Sequence, residues 1–135
     1  METVFIVERD PVLAAEISQL LLQAGHGSRI ASDAVQAQTL VRQKRPALII
    51  VDAQLPAGGG ASLHKTLRLS PQTAAIPVLF LSSVPESVLA KAIDFDGATY
   101  FLAKPVGPGE LLGLVAQILD EKSPPGEKTE RGVYF

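Results

Sequence analysis

The sequence predicts an α/β fold: a doubly wound, five-stranded parallel sheet with helices on both faces. Three observations carry that prediction. Strand-like and helix-like segments alternate along the chain, giving five strand–helix pairs. The run Leu48-Ile49-Ile50-Val51 is short and wholly apolar, as a strand covered on both faces must be. The residues best suited to chemistry stand just past strand ends. They are Asp52 after that run, Glu8-Arg9-Asp10 after Val4-Phe5-Ile6-Val7, and Lys104-Pro105 after Ala98 to Ala103. Open α/β sheets bind their ligands at that edge.

The elements follow in order. Val4 to Val7 reads as the first strand. Asp10-Pro11 then opens a helix, an acid at the cap and proline in the first turn. Val12, Leu13, Ile17, Leu20, Leu21 and Leu22 form its apolar face, and Gly25 ends it. Ser28 to Ala31 is a weak second strand. Asp33-x-x-Gln36 fits a capping box for a second helix carrying Ala37, Leu40 and Val41, which Pro46 stops. The central strand runs from Ala47 to Val51. A loop with Pro56 and Gly58-Gly59-Gly60 precedes a third helix over Ala61 to Leu69. Pro77 leads a fourth strand, Val78 to Leu81. Ser83-x-x-Glu86 reads as a capping box for a fourth helix extending through Ile93. Gly97 turns the chain into the fifth strand, and Glu110 to Leu119 forms the last helix. From Glu121 the chain becomes polar and rich in breakers, so the prediction is one domain over 1–121 and a flexible tail over 122–135. The closing Val133-Tyr134-Phe135 reads as a frayed end or a short docking segment.

With 135 residues, 47% of them hydrophobic and 19% charged, the chain suits one soluble domain with one core. It holds 0 cysteines, which excludes a disulfide framework and a thiolate metal site. No apolar run reaches membrane-span length and no signal peptide is evident, so a cytoplasmic location is expected. A net charge of -2 gives no footprint for nucleic acid, although a local basic patch can hide in such a total.

These strand ends resemble the receiver domain of bacterial two-component response regulators. The resemblance runs from Val4 to about Leu119. It rests on Glu8, Asp52 with Leu55-Pro56 behind it, Gly59-Gly60, Ser82 and Lys104-Pro105, all in the family's order. It implies the flavodoxin-like (βα)5 receiver fold. It also implies that Asp52 stands at the position that accepts a phosphoryl group from a histidine kinase. By the same match, Ser82 and Lys104 contact the phosphoryl group. Phe101 is the aromatic switch that moves inward when the Ser82 hydroxyl is drawn to that group. Glu8, Asp52 and the backbone carbonyl of Gln54 would hold Mg²⁺. The Lys104–Pro105 peptide is often cis in the family. Too few residues follow the last helix for a DNA-binding unit, so a stand-alone module is expected, acting by protein–protein contact. The resemblance places that contact on the fourth helix, fifth strand and fifth helix. It leaves a homodimer open, with Leu89, Ile93 and Phe95 available either to a pairing face or to the core.

One position departs from the family. The second acid after the first strand, normally a direct metal ligand, is Arg9. Mg²⁺ wants oxygen ligands in near-octahedral geometry, and a guanidinium offers none and stays charged. Two unit charges about 4 Å apart interact by roughly 4 kcal/mol at an effective dielectric near 20. An inward Arg9 would therefore weaken Mg²⁺ and, with it, metal-assisted phosphotransfer. Arg9 can instead bridge Asp52 as a built-in pocket cation, or turn to solvent. Plainer readings stand beside these. Asp52 can cap its loop or pair with a lysine, Ser82 can bond the turn, and Phe101 can be core. Asp10 reads as a cap, and His26 and His64 as surface or packing residues. A flavodoxin-like cofactor domain or small enzyme, with the glycine run cradling phosphate, is a separate alternative, although the run lacks the P-loop lysine. A structural interaction domain with a vestigial pocket is another.

Overall fold

The computed structural model describes residues 2–56 and 59–121. Its elements are β1 (Thr3–Val7), α1 (Pro11–Gln23), β2 (Gly27–Ala31), α2 (Ala34–Gln43), β3 (Leu48–Asp52), α3 (Gly59–Leu69), β4 (Val78–Ser82), α4 (Glu86–Leu89), β5 (Thr99–Ala103) and α5 (Pro108–Glu121). The strands form one sheet in the order β2-β1-β3-β4-β5, and every neighbouring pair is parallel. The predicted tail over 122–135, with Val133-Tyr134-Phe135, lies outside the described residues.

Side chains alternate across the pleat, so the sheet feeds two cores. Phe5, Val7, Ile49, Val51, Val78 and Phe80 pack with Ala37, Val41, Leu63 and Leu67 of α2 and α3. Val4, Ile6, Leu48, Ile50, Leu79 and Leu81 pack with Ala14, Ile17 and Leu21 of α1 and Leu111, Val115 and Ile118 of α5. That two-sided burial is why β3 and β4 carry almost no polar residue before their last position. From β1 the chain steps to β2 on one side and then to β3 on the other. The reversal opens a crevice between the carboxyl ends of β1 and β3, the place where such sheets bind ligands.

Local signals explain most boundaries. The Asp10 carboxylate accepts from the N–H groups of Val12 and Leu13, capping α1 as expected. Gly25 follows the helix at φ 90°, a conformation that favours glycine. Asp33 caps α2 by accepting from Gln36 N–H, while the Gln36 carboxamide oxygen accepts from Ser32 rather than from the cap itself.

Four expectations are corrected. Val12 and Leu22 are 67% and 56% exposed, because the buried stripe of α1 runs through Ala14, Ile17 and Leu21 at helical spacing. Gly59 and Gly60 form the first turn of α3 instead of a loop. A Cβ on Gly60 would stand 3.0 Å from the Asp52 carbonyl oxygen, so the pair serves close packing and does not form an open phosphate cradle. Ser83 does not cap α4: Pro85 occupies the cap without a side-chain bond, and Ser83 N–H is taken by the Gln54 side chain. α4 is therefore a single turn, and residues 90–93 continue as irregular turns. Of the two readings left open for Leu89, Ile93 and Phe95, the structure favours the core: the first two are buried and Phe95 packs against the same cluster.

Candidate functional site

Four loops bring the predicted residues together. Glu8 leaves β1 with its side chain turned back into the crevice, 1% exposed, and its Oε2 accepts from Asp10 N–H at 3.1 Å. Asp52 ends β3 with a side chain of 0% exposure, and its Oδ1 accepts from Gln54 N–H at 2.9 Å. Lys104 arrives from the end of β5, before a cis bond to Pro105. Its Nζ lies 3.2 Å from Glu8 Oε1 and 3.4 Å from Asp52 Oδ1. Arg9 does turn inward: its Nε lies 3.5 Å from Asp52 Oδ2, although 57% of its side chain remains in solvent.

Two carboxylates thus face two cations. Burial pushes the Glu8 carboxyl above its ordinary value. The Asp10 N–H opposes that push, the neighbouring charge of Asp52 adds to it, and the Lys104 ammonium opposes it again. Glu8 Oε1 and Asp52 Oδ2 are both buried without a hydrogen bond, and each faces a cation, Lys104 at 3.2 Å and Arg9 at 3.5 Å respectively.

The cluster does not fit Mg²⁺ in this arrangement. Among the described residues no group of three or more acidic or histidine side chains is placed to hold a metal ion. The two carboxylates that would serve already face Arg9 and Lys104, which compete with a divalent cation for them. Asp52 Oδ2, the oxygen free of other bonds, is the one Arg9 covers.

Ser82, at the end of β4, is 1% exposed and fully bonded. Its hydroxyl donates to the Val84 carbonyl at 2.9 Å and accepts from Val84 N–H at 2.9 Å and from Gln54 Nε2 at 3.0 Å. The Gln54 carboxamide oxygen in turn accepts from Ser83 N–H at 3.1 Å. Gln54 therefore clamps the loop after β3 to the loop after β4. The sequence suggested only a role for its backbone carbonyl; its place two residues beyond Asp52, facing the hydroxyl strand end, was the available signal. Phe101 is half-buried and in register with Phe80, packed against the α2–α3 core.

A second polar group lies at the opposite end of the sheet. His64 is buried on α3, its Nε2 2.9 Å from Thr99 Oγ1. The Thr99 hydroxyl donates to Asp96 Oδ1 at 2.7 Å, and Arg68 Nε reaches Asp96 Oδ2 at 2.7 Å. Arg68 also donates to the carbonyls of Ile76 and Ala98. His26 is half-buried and takes no part.

Comparison with known proteins agrees with this geometry. The family profile of the response regulator receiver domain matches residues 4–116. The DNA-binding dual master transcriptional regulator RpaA of Synechocystis is 34% identical over 120 residues, spanning 88% of this chain and 49% of that protein. The DNA-binding response regulator MtrA of Mycolicibacterium smegmatis is 28% identical, spanning 97% of this chain and 57% of that one. The chain thus spans about half the length of the curated relatives it matches. Among solved structures, a response regulator of Chloroflexus aurantiacus superposes with a TM-score of 0.80 at 32% identity, over 87% of this chain and 97% of that one. The receiver domain of a Pseudomonas aeruginosa sensor histidine kinase, solved with magnesium in its active-site cleft, shares the fold at a TM-score of 0.78 and 23% identity, over 87% and 97% of the two chains. A profile match over most of the chain, on a sheet of this order with its acid at the switch point, settles the family: the chain belongs to the response regulator receiver domains of two-component signalling.

Proposed function

We propose that this receiver domain works chiefly by protein–protein contact, and that Arg9 impairs metal-dependent phosphorylation at Asp52. The observation that carries this reading is the Arg9–Asp52 pair: a guanidinium 3.5 Å from a carboxylate oxygen whose side chain has 0% exposure. A carboxylate so covered is a poor nucleophile, because attack on a phosphoryl group requires the guanidinium to leave first. Arg9 and Lys104 also supply the positive charge that a metal would otherwise bring, which holds the pocket in one state without phosphate. Partners in this reading are a histidine kinase or another signalling protein, and Mg²⁺ binds only weakly at Glu8, Asp52 and the Gln54 carbonyl.

A second reading, a conventional receiver phosphorylated at Asp52, is favoured by one observation. Lys104 Nζ lies 3.4 Å from Asp52 Oδ1, and Arg9, more than half in solvent, has room to swing out. The two separate in a titration with beryllofluoride, a phosphoryl mimic, with and without Mg²⁺. The readout is NMR shifts around Asp52, Ser82 and Phe101 in the wild type and in Arg9→Asp. The first reading expects little Mg²⁺-dependent response from the wild type and a saturable one from Arg9→Asp. A saturable Mg²⁺-dependent response in the wild type overturns it in favour of the second.

A further inference from the structure

Residues 34–85 hold five cationic side chains, Arg42, Lys44, Arg45, Lys65 and Arg68, against one acid, Asp52, in a chain whose net charge is -2. That acid is buried at the carboxyl end of β3, in the pocket described above. The surface of α2, α3 and the turn after α3 is therefore free of acids on an otherwise acidic molecule. Arg68 is taken up by Asp96. Arg42 and Arg45 have no hydrogen-bond or ion-pair partner among the described residues. The carbonyl end of α2 explains one cation in its last turn. It does not explain three between positions 42 and 45.

These cations border a groove. A space of about 570 Å³ is lined by Val41, Arg42, Arg45, Ser70, Gln72 and Thr73. A narrower extension of about 130 Å³ runs from it between α2 and α3, past Gln38, Thr66 and Leu67. Both helices run antiparallel to the strands, so this end of the molecule is the one away from Asp52.

We propose that the groove between α2 and α3 docks an acidic polypeptide segment. Arg42 and Arg45 take its carboxylates, and Ser70, Gln72 and Thr73 line the opposite side. The guanidinium fork matches a carboxylate in shape as well as charge. Nucleic acid suits the groove less. No aromatic side chain lines it for base stacking, and a phosphate backbone is tracked by a longer run of cations. The site goes beyond the Asp52 pocket and does not depend on whether Asp52 is phosphorylated.

The test is an NMR titration of the full chain with a decapeptide of alternating glutamate and leucine. The controls are the same peptide with glutamine for glutamate and an oligothymidylate of equal charge. Saturable shifts are expected at the amides of Arg42, Arg45, Ser70 and Thr73. Affinity should fall about tenfold or more in the Arg42→Ser/Arg45→Ser double variant, fall with added salt, and stay unchanged in Lys91→Ser. Four results would overturn the proposal: no saturable shift, shifts centred on Arg9 and Lys104 instead, equal affinity in the double variant, or an oligothymidylate that binds as tightly as the peptide. The side chains replaced are exposed, and a melting temperature matching the wild type shows that the variants are folded.

Discussion

Lys104 is 19% exposed and touches two carboxylates that have almost no surface of their own, Glu8 at 1% and Asp52 at 0%. Arg9 touches only Asp52, from a position more than half in solvent. Removing one partner of a buried pair strands the other in a poor solvent, whereas an exposed cation is screened and replaceable by water. Lys104→Met should therefore cost about 3 kcal/mol in urea denaturation at pH 7, and Arg9→Ala less than about 1 kcal/mol. Acidification should shrink the Lys104→Met deficit, since the stranded Glu8 carboxyl, already raised by burial, then takes up a proton. Equal costs for the two variants would mean that the pocket is far wetter than its geometry implies. Much of this site was legible in the sequence. Asp52, Glu8 and Lys104 stand at strand ends, and strand ends follow from apolar run length alone. The side chain of Gln54 was not legible, because its bonds run to Ser82 and Ser83, nearly thirty residues away. Arg9 left three rotamer readings open, and only the placement of its neighbours selected one.

At the scale of elements, α3 and β5 are held together by charge as well as by packing. Burial alone would raise the Asp96 carboxyl. Bonds from Arg68, Thr99 Oγ1 and Ala98 N–H outweigh it and hold it at about 2, below the ordinary 3.8. A carboxyl lowered on folding stabilises the native state above its ordinary value, and that contribution is lost as pH falls through the lowered one. The side chain is 32% exposed, so solvent screening reduces the contribution to on the order of 1–2 kcal/mol. The wild type should exceed Asp96→Asn in stability by that amount at pH 5, and the gap should close by about pH 2. A gap independent of pH would remove the ion pair from the account. The helices also mark where local reading of the sequence stops. Asp10-Pro11 and Asp33 announced α1 and α2 correctly, since a cap is satisfied within its own turn. The Ser83-x-x-Glu86 pattern looked equally good and failed, because α4 begins at Glu86 with Pro85 at its cap, while a distant glutamine holds the Ser83 N–H. Val12 and Leu22 failed for a plainer reason: an apolar residue need not lie on the buried stripe.

Over the whole molecule, the sheet is rigid where both faces are covered and loosens along one margin. β3 and β4 are buried along their full length, whereas the segment after the single turn of α4 exposes Ala90, Lys91, Ala92 and Asp94 and is held by turn bonds such as Lys91 N–H to Val88 O at 3.3 Å. This segment hangs from Ser82 at one end, through the loop that Gln54 clamps, and from the Arg68–Asp96–Thr99 bonds at the other. Any change of state at Asp52 that disturbs the Gln54 clamp therefore reaches the margin first, because the cores beneath it are close-packed and resist small deformation. Amide hydrogen exchange tests this gradient directly. Amides of the exposed Ala90, Lys91, Ala92 and Asp94 should exchange at least about a hundredfold faster than those of β3 and β4, through local openings that little depend on dilute urea. Protection should return at Ala98 and Thr99, whose N–H groups bond Asp96 Oδ1 and the Asp96 carbonyl. Protection of Ala90, Lys91, Ala92 and Asp94 within about tenfold of β4 would mean that the margin unfolds only with the whole domain. The Gln54 clamp would then have no loose element to release, and a signal from the pocket would have to leave by another surface.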